Sequence, residues 1–302
     1  EQVGPGRSSR AIAIVHIAIF DALNAIVGGY ESYTDQPAAP AGASLKAAIA
    51  QAAHDTLAAL FPSQAATFDA RLAEDLANVE DGKAETDGVE VGRRAAAAIL
   101  AERADDGSNH PEPRYGVDFI PSDEPGKWRQ DPVSQHPLAL GARWSEVRPF
   151  TLEAAEQFRI PPPPALGSAA YAESFAEVLS LGGDAISTPT LRNDDQTHAG
   201  IYGAYDATPN LCAPPRLYNQ IAVTIADQQN ADIVELARLL ALVNTAMADA
   251  GIAIWESKYY YQFWRPVTGI RESDAGTGPT GAGDGNPFTF GDPAFMPLGA
   301  PA

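Results

Sequence analysis

Four lysines serve this 302-residue chain, Lys46, Lys83, Lys127 and Lys258, and the last lies in its most aromatic stretch, Trp255-Glu-Ser-Lys-Tyr-Tyr-Tyr-Gln-Phe-Trp-Arg-Pro266. An ammonium placed among aromatic rings is costly unless something anionic compensates it. Arg265 follows seven residues later, two helical turns on, so on a continuous helix both cations point the same way about 10 Å apart and can converge on one anion. Pro266 disfavours helical geometry at Arg265 and places its guanidinium at a helix end. Lys258 and Arg265 are therefore a candidate oxyanion site. Spacing alone leaves a second reading open, in which both cations reach solvent along their stems or pair with Glu256 or Asp249. Tyr259, Tyr260, Tyr261 and Trp264 are then ordinary core.

Other reactive residue types are sparse. Cys212 is the single cysteine, which excludes an internal disulfide and a cysteine-rich zinc cluster and reads as a small buried hydrophobe. The histidines are His16, His54, His110, His136 and His198. His16 lies on an apolar helix and reads as a core residue, and His198 stands near Asp194 and Asp195 without the further ligands of a metal site. The glycine-rich segment 276–285 lacks the Gly-Lys-Ser/Thr ending of a phosphate-binding loop, and Asp274, Asp284 and Asp292 do not have EF-hand spacing. No Gly-x-Ser-x-Gly element is present.

These residues must be positioned by helices. The composition, 45% hydrophobic and 20% charged, is that of a globular protein. A net charge of −19 disfavours nucleic acid and acidic membrane surfaces as partners. The longest uninterrupted apolar run, Ala11 to Phe20 around His16, is too short to span a bilayer. Apolar spacing near 3.6 predicts helices over 9–26, capped by Ser8 or Ser9, then two capped by Ser44 and Ser63 and separated by Pro62, and one over 86–103. Seven prolines with Trp128 and Trp144 make 105–150 a long excursion pinned by aromatic rings. Pro161 to Pro164 form an extended spacer, followed by helices over 168–181, 195–205, 216–229 and, longest of all, 232–263. Residues 272–302 are rich in Gly, Pro and Asp and predict irregular structure.

The Lys258, six-residue, Arg265-Pro266 element resembles that of the vanadium-dependent haloperoxidases, which share their site with type-2 phosphatidate phosphatases and bacterial acid phosphatases. The resemblance, to the chloroperoxidase-like branch, extends along nearly the whole chain. It is carried by Arg10-Ala-Ile-Ala-Ile-Val-His-Ile-Ala-Ile-Phe-Asp-Ala22, Pro162-Pro-Pro-Ala-Leu-Gly-Ser-Ala-Ala-Tyr171, Asp195-Gln-Thr197 with Ala204-Tyr-Asp206, Pro214-Pro-Arg-Leu-Tyr-Asn-Gln220, Ala248-Asp-Ala-Gly-Ile252, and Gly291-Asp-Pro293 through Leu298-Gly-Ala-Pro-Ala302.

The resemblance implies an all-α fold of helical bundles, with residues 1–160 as the first bundle plus the long connection and 161–302 as the opening helices of the second. It implies orthovanadate as cofactor, its oxygens neutralised by Lys258 and Arg265. Lys258 would polarise vanadate-bound hydrogen peroxide, a halide, chloride or bromide, would be oxidised to hypohalous acid, and a small organic acceptor would take up the halogen. Trp255, one turn before Lys258, would line the halide pocket, or serve as core. Asp206 would orient an oxyanion-binding arginine, or be an exposed loop acid. The family's Pro-Ser-Gly-His element is not found in these 302 residues, and no Ser-Arg element with its vanadium-ligating His follows Arg265-Pro266. The resemblance thus predicts that a complementary C-terminal chain, cleaved or separately encoded, supplies the metal-ligating histidine and covers the apolar helix from Asp232, in an assembly that can itself be a homo-oligomer and is exported. Two other readings stand beside it: a phosphomonoesterase using the same oxyanion site, and a catalytically silent helical subunit.

Overall fold

The computed structural model describes residues 2, 4–204 and 214–299. Over these residues the fold is all-α: nine α-helices, with four isolated bridges as the β features. The chain divides into two compact units, each drawing on residues from both sides of position 160.

The first unit comprises 1–110, 146–157 and 213–252. Helix α1 (Gly4–Val27) forms its axis, with Ala11, Ile14, Ile17, Ala18 and Leu23 essentially inaccessible to solvent. The helix starts earlier than its serines predict, because Pro5 suits a first turn and Ser9, instead of capping, donates its hydroxyl back to the Pro5 carbonyl at 2.8 Å. Its buried polar residues secure the following loop. Asp21 accepts the Tyr33 and Thr34 amides, both at 2.8 Å, and the Asn24 side chain exchanges two hydrogen bonds with the Tyr30 backbone.

Helix α2 (Leu45–Leu60) is capped by Ser44, as expected, whereas Pro62 initiates a 3-10 turn that absorbs Ser63, so α3 (Ala65–Leu76) has no side-chain cap. Helix α4 (Lys83–Glu102) lies against α2 through Gly88 and Gly92: a Cβ at Gly92 would stand 2.5 Å from the Ala48 carbonyl oxygen. Just after α4 a charged cluster is fully enclosed. Arg10 and Arg103 both donate to Asp106, at 2.7 and 2.9 Å, and the Arg103 guanidinium lies 4.0 Å from the centre of the Phe150 ring. Shared hydrogen bonds make that burial tolerable.

Two further helices complete this unit, α7 (Pro214–Gln228) and the part of α8 (Ile233–Tyr261) up to Ile252. Asn219 of α7 and Asn244 of α8 exchange two side-chain hydrogen bonds, at 2.9 and 2.7 Å. Ala237 and Ala241 pack on Phe20 and Leu23. The opposite faces are apolar and exposed, with Tyr218, Ile221 and Ile225 on α7 and Leu242, Ala246 and Ala250 on α8. By length and overall composition α1 and α8 are each long and apolar enough to cross a bilayer, although neither carries an uninterrupted apolar run of that length. Most of α1 is buried in its unit, and a long, largely apolar core helix passes the same test of length and composition as a membrane helix.

The second unit comprises 111–145, 158–212 and 253–302. Helix α5 (Ala169–Gly182), capped by Ser168, and the short α9 (Pro266–Glu272) build its core from Tyr171, Phe175, Val267 and Ile270 together with Trp264 and Phe295. Helix α6 (Asp194–Gly203) opens with a capping box between Asn193 and Gln196. The proline-rich excursion is aromatic-pinned as predicted: Trp144 is buried, and Trp128 makes edge contacts with Tyr115, Phe119 and Tyr259 at 5.4 to 5.9 Å between ring centres. Helix α9, seven residues long, was not foreseen from periodicity, since so short a segment shows barely two turns of pattern.

Candidate functional site

The end of α8 and the turn after it carry the candidate site, within the second unit. Helix α8 stops at Tyr261, two residues short of the periodicity-based expectation, because Gln262 adopts a left-handed φ of +49° while its amide still bonds the Lys258 carbonyl at 2.8 Å. Residues 263–265 then run extended against 126–128. Trp128 N–H donates to the Gln262 carbonyl and Trp264 N–H to that of Gly126, and Lys127 bridges Phe263. The Lys127 ammonium donates to the Tyr261 carbonyl at 3.3 Å, so two of the four lysines gather at the negative end of α8.

Arg265 occupies the N-cap position of α9 in extended geometry, φ −72° and ψ 153°, with Pro266 as the first helical residue. The guanidinium thus stands at a helix end, as the Arg-Pro pair predicts, but on a second helix. The two cations are separated by a break in the helix, residues 262–265, instead of two turns of one helix, which corrects the same-face expectation. Both side chains are exposed.

The Lys258 ammonium lies over the Trp255 indole, 4.2 Å from the ring centre. An i, i+3 pair on a helix makes this contact, and the quadrupole of the ring attracts the cation. The two acids named as alternative partners each have partners of their own. Glu256 receives Arg159 in a two-pronged pair with Nε contacts of 2.9 and 3.1 Å, and Asp249 accepts the amides of Phe150, Thr151 and Leu152 at 2.6 to 3.2 Å.

Trp255 is in turn fixed from the excursion. Its indole N–H donates to the Leu140 carbonyl at 3.0 Å, and the Tyr259 hydroxyl donates to the same oxygen at 2.9 Å. Burial, reinforced by the Glu112 carboxylate and opposed by Arg265, pushes the Tyr259 hydroxyl well above the usual phenol range, so it stays a donor. Arg265 and Glu112 are therefore both within electrostatic reach of that hydroxyl. Sequence reasoning missed Leu140, Gly141 and Glu112; their only signal was a glycine followed by Trp144 inside a proline-rich loop. Asp206 and Cys212 lie outside the described residues. Among the described residues no group of three or more His, Cys, Asp or Glu side chains is arranged to hold a metal ion.

A family model described as the VCPO second helical-bundle domain matches residues 238–302, the segment carrying Trp255, Lys258 and Arg265. The vanadium chloroperoxidase of Curvularia inaequalis is 29% identical over an alignment covering 99% of this chain and 56% of that protein, so the chain spans just over half the length of that relative. Among solved structures, the first bacterial vanadium-dependent iodoperoxidase superposes with a TM-score of 0.70 at 24% identity, covering 88% of this chain and 67% of that one. A holo-type bacterial vanadium-dependent chloroperoxidase gives 0.59 at 18% identity, over 88% and 63%. In sequence and in fold the chain is similar to vanadium haloperoxidases, and its architecture is their all-α fold.

Proposed function

We propose that this chain supplies the cationic half of a vanadate site in a haloperoxidase that oxidises a halide with hydrogen peroxide. The observation that carries the reading is the Lys258 ammonium held over Trp255, with Arg265 at the next helix start, inside the segment that matches the family domain.

The donor set suits a tetrahedral oxyanion. Lys258 offers a compact charge with rotatable N–H donors, and Arg265 a planar fork that can engage two oxygens. Both head groups are exposed and can reach a bound anion. Bound vanadate would supply a Lewis-acidic centre that activates peroxide for attack by halide. Lys258 and Arg265 would hold and neutralise its oxygens, and Lys258 would present a proton and a positive charge where negative charge develops. Trp255 would orient the ammonium and offer an apolar wall to a weakly hydrated halide.

The metal-ligating histidine would come from a complementary polypeptide or segment carrying Pro-Ser-Gly-His and Ser-Arg elements. The exposed apolar residues of α7 and α8 support such a partner, since large apolar side chains gathered on exposed helix faces are costly in water. The test uses the complete protein: peroxide-dependent halogenation of a chromogenic diketone with and without orthovanadate, beside hydrolysis of a chromogenic phosphate ester. Vanadate-dependent halogenation that falls about 100-fold or more in Lys258→Ala is the expected result. Halogenation indifferent to Lys258 would overturn the site assignment, and vanadate-inhibited phosphatase activity without halogenation would place the same site in phosphomonoester hydrolysis.

A further inference from the structure

We infer that Gly141 is a positioning residue, which sets the Trp255 indole and through it the Lys258 ammonium. At Gly141 two independent requirements meet. Its φ of +74° is a conformation that side chains with a Cβ rarely adopt. In addition, a Cβ built there would fall inside the indole, onto Cδ1 and Nε1 of Trp255. The backbone of this turn is thus one wall of the Trp255 slot.

The turn is itself held. The Gly141 N–H donates to Glu112 at 2.7 Å, and the preceding carbonyl, that of Leu140, receives both Trp255 Nε1 and the Tyr259 hydroxyl. Contact on the ring edge from Gly141 and a hydrogen bond at Nε1 leave the indole one orientation. In that orientation its face meets the Lys258 ammonium. The order of dependence runs from Glu112 to Gly141, to Trp255, to Lys258, all within the second unit. Where Lys258 sits on an oxyanion rests on the function proposed above; that Gly141 sets Lys258 does not.

Gly116 provides an internal control, because its φ is +73° and nothing would stand within 4 Å of a Cβ there. Gly116→Ala carries the backbone strain without the collision. The readout is competitive acylation of lysines by trace anhydride, scored by mass spectrometry as the rate at Lys258 relative to Lys83 in the same sample. Loss of a solvent-exposed cation–π contact corresponds to a change of about two- to fivefold. Gly141→Ala is expected to change the Lys258 ratio by that factor, Glu112→Ala to shift it in the same direction, Glu112→Gln to restore it, and Gly116→Ala to leave it as in the parent. Trp255→Leu should reproduce the Gly141→Ala ratio, and adding Gly141→Ala to it should change nothing further.

If Gly141→Ala does not fold, the Glu112 and Trp255 variants decide the matter alone. A parental ratio in Gly141→Ala, or in Glu112→Ala and Trp255→Leu together, overturns the proposal, as does additivity of the Gly141 and Trp255 changes. Equilibrium dialysis with orthovanadate on the complete protein is run in parallel. A changed Lys258 ratio with about tenfold weaker vanadate binding supports both this inference and the functional reading. The same change in ratio with no vanadate binding by any form supports the positioning role and overturns the functional reading.

Discussion

His16 makes the stability of the first unit sensitive to mild acid. It lies on α1 between the core residues Val15 and Ile17, and burial lowers its pKa from the ordinary 6.5 to about 4. The folded protein therefore refuses a proton that the unfolded chain accepts. Stability is full above the unfolded value and is lost as pH falls through the window from 6.5 toward about 4. With those two values, linkage gives a loss of about 1.3 kcal/mol between about pH 7.5 and about pH 5.5. For a domain of this size that is a fall of about 3–5 °C in Tm. The range stops above the isoelectric point near 4.5, where vanishing net charge promotes association. The perturbation is His16→Leu, and the assay is urea unfolding at several pH values with both proteins. Carboxylates contribute acid sensitivity to both, so the difference between the two curves isolates His16. That difference should close by about 1.3 kcal/mol as pH falls, whatever its size at neutral pH. Parallel curves, within about 0.3 kcal/mol, would refute the assignment of His16 as a buried neutral imidazole.

His54 should act with the opposite sign. Burial lowers its pKa, but hydrogen bonds to Asp69 and Asp55, at 2.8 and 2.7 Å, outweigh this and raise it. The link from α2 to α3 is then strongest below the unfolded value and is lost as pH rises through the folded one; the protection factors of α3 amides, exchange rates corrected for the intrinsic rise with pH, should fall over that interval in the parent and not in His54→Gln. Gly92→Ala should destabilise by about 2 kcal/mol despite better helix propensity, because the added Cβ meets the α2 backbone. Gly251→Ala, mid-helix in α8 with nothing within 4 Å of the new Cβ, should be neutral or stabilising by up to about 1 kcal/mol, and denaturant midpoints compare the two. Asp249→Ala strands three backbone amides that now share one buried carboxylate and should cost about 3–5 kcal/mol, read as a lowered urea midpoint with an unchanged m-value.

Helix existence was legible because each helix of this protein longer than about two turns repeats its apolar spacing and is punctuated by residues with local preferences. Ser44 and Ser168 act as caps by hydrogen bonds that span three residues, information contained in the sequence itself. Ser9 and Ser63 show the limit of that reasoning. Each is a good cap by type, yet a proline placed a few residues earlier in one case and just before it in the other starts the helical geometry sooner and draws the serine inside. Residue types likewise singled out Lys258, Arg265 and Trp255, since a rare lysine among aromatic rings and an Arg-Pro pair are unusual whatever the fold.

What lay beyond the sequence is what depends on chain segments far apart coming together. That Glu256 receives Arg159 and Asp249 the backbone at 150–152 is decided across about a hundred residues of separation. The wall of the Trp255 slot comes from Gly141, whose importance is invisible in a loop that no periodicity orders. The sequence by itself determined where the longer helices lie, the Ser44 and Ser168 caps and the chemical types at the candidate site, because these rest on interactions within a few residues along the chain. Tertiary structure alone decided which carboxylate meets which cation and which backbone encloses the indole, because burial and long-range packing select those pairings from many that local geometry allows equally.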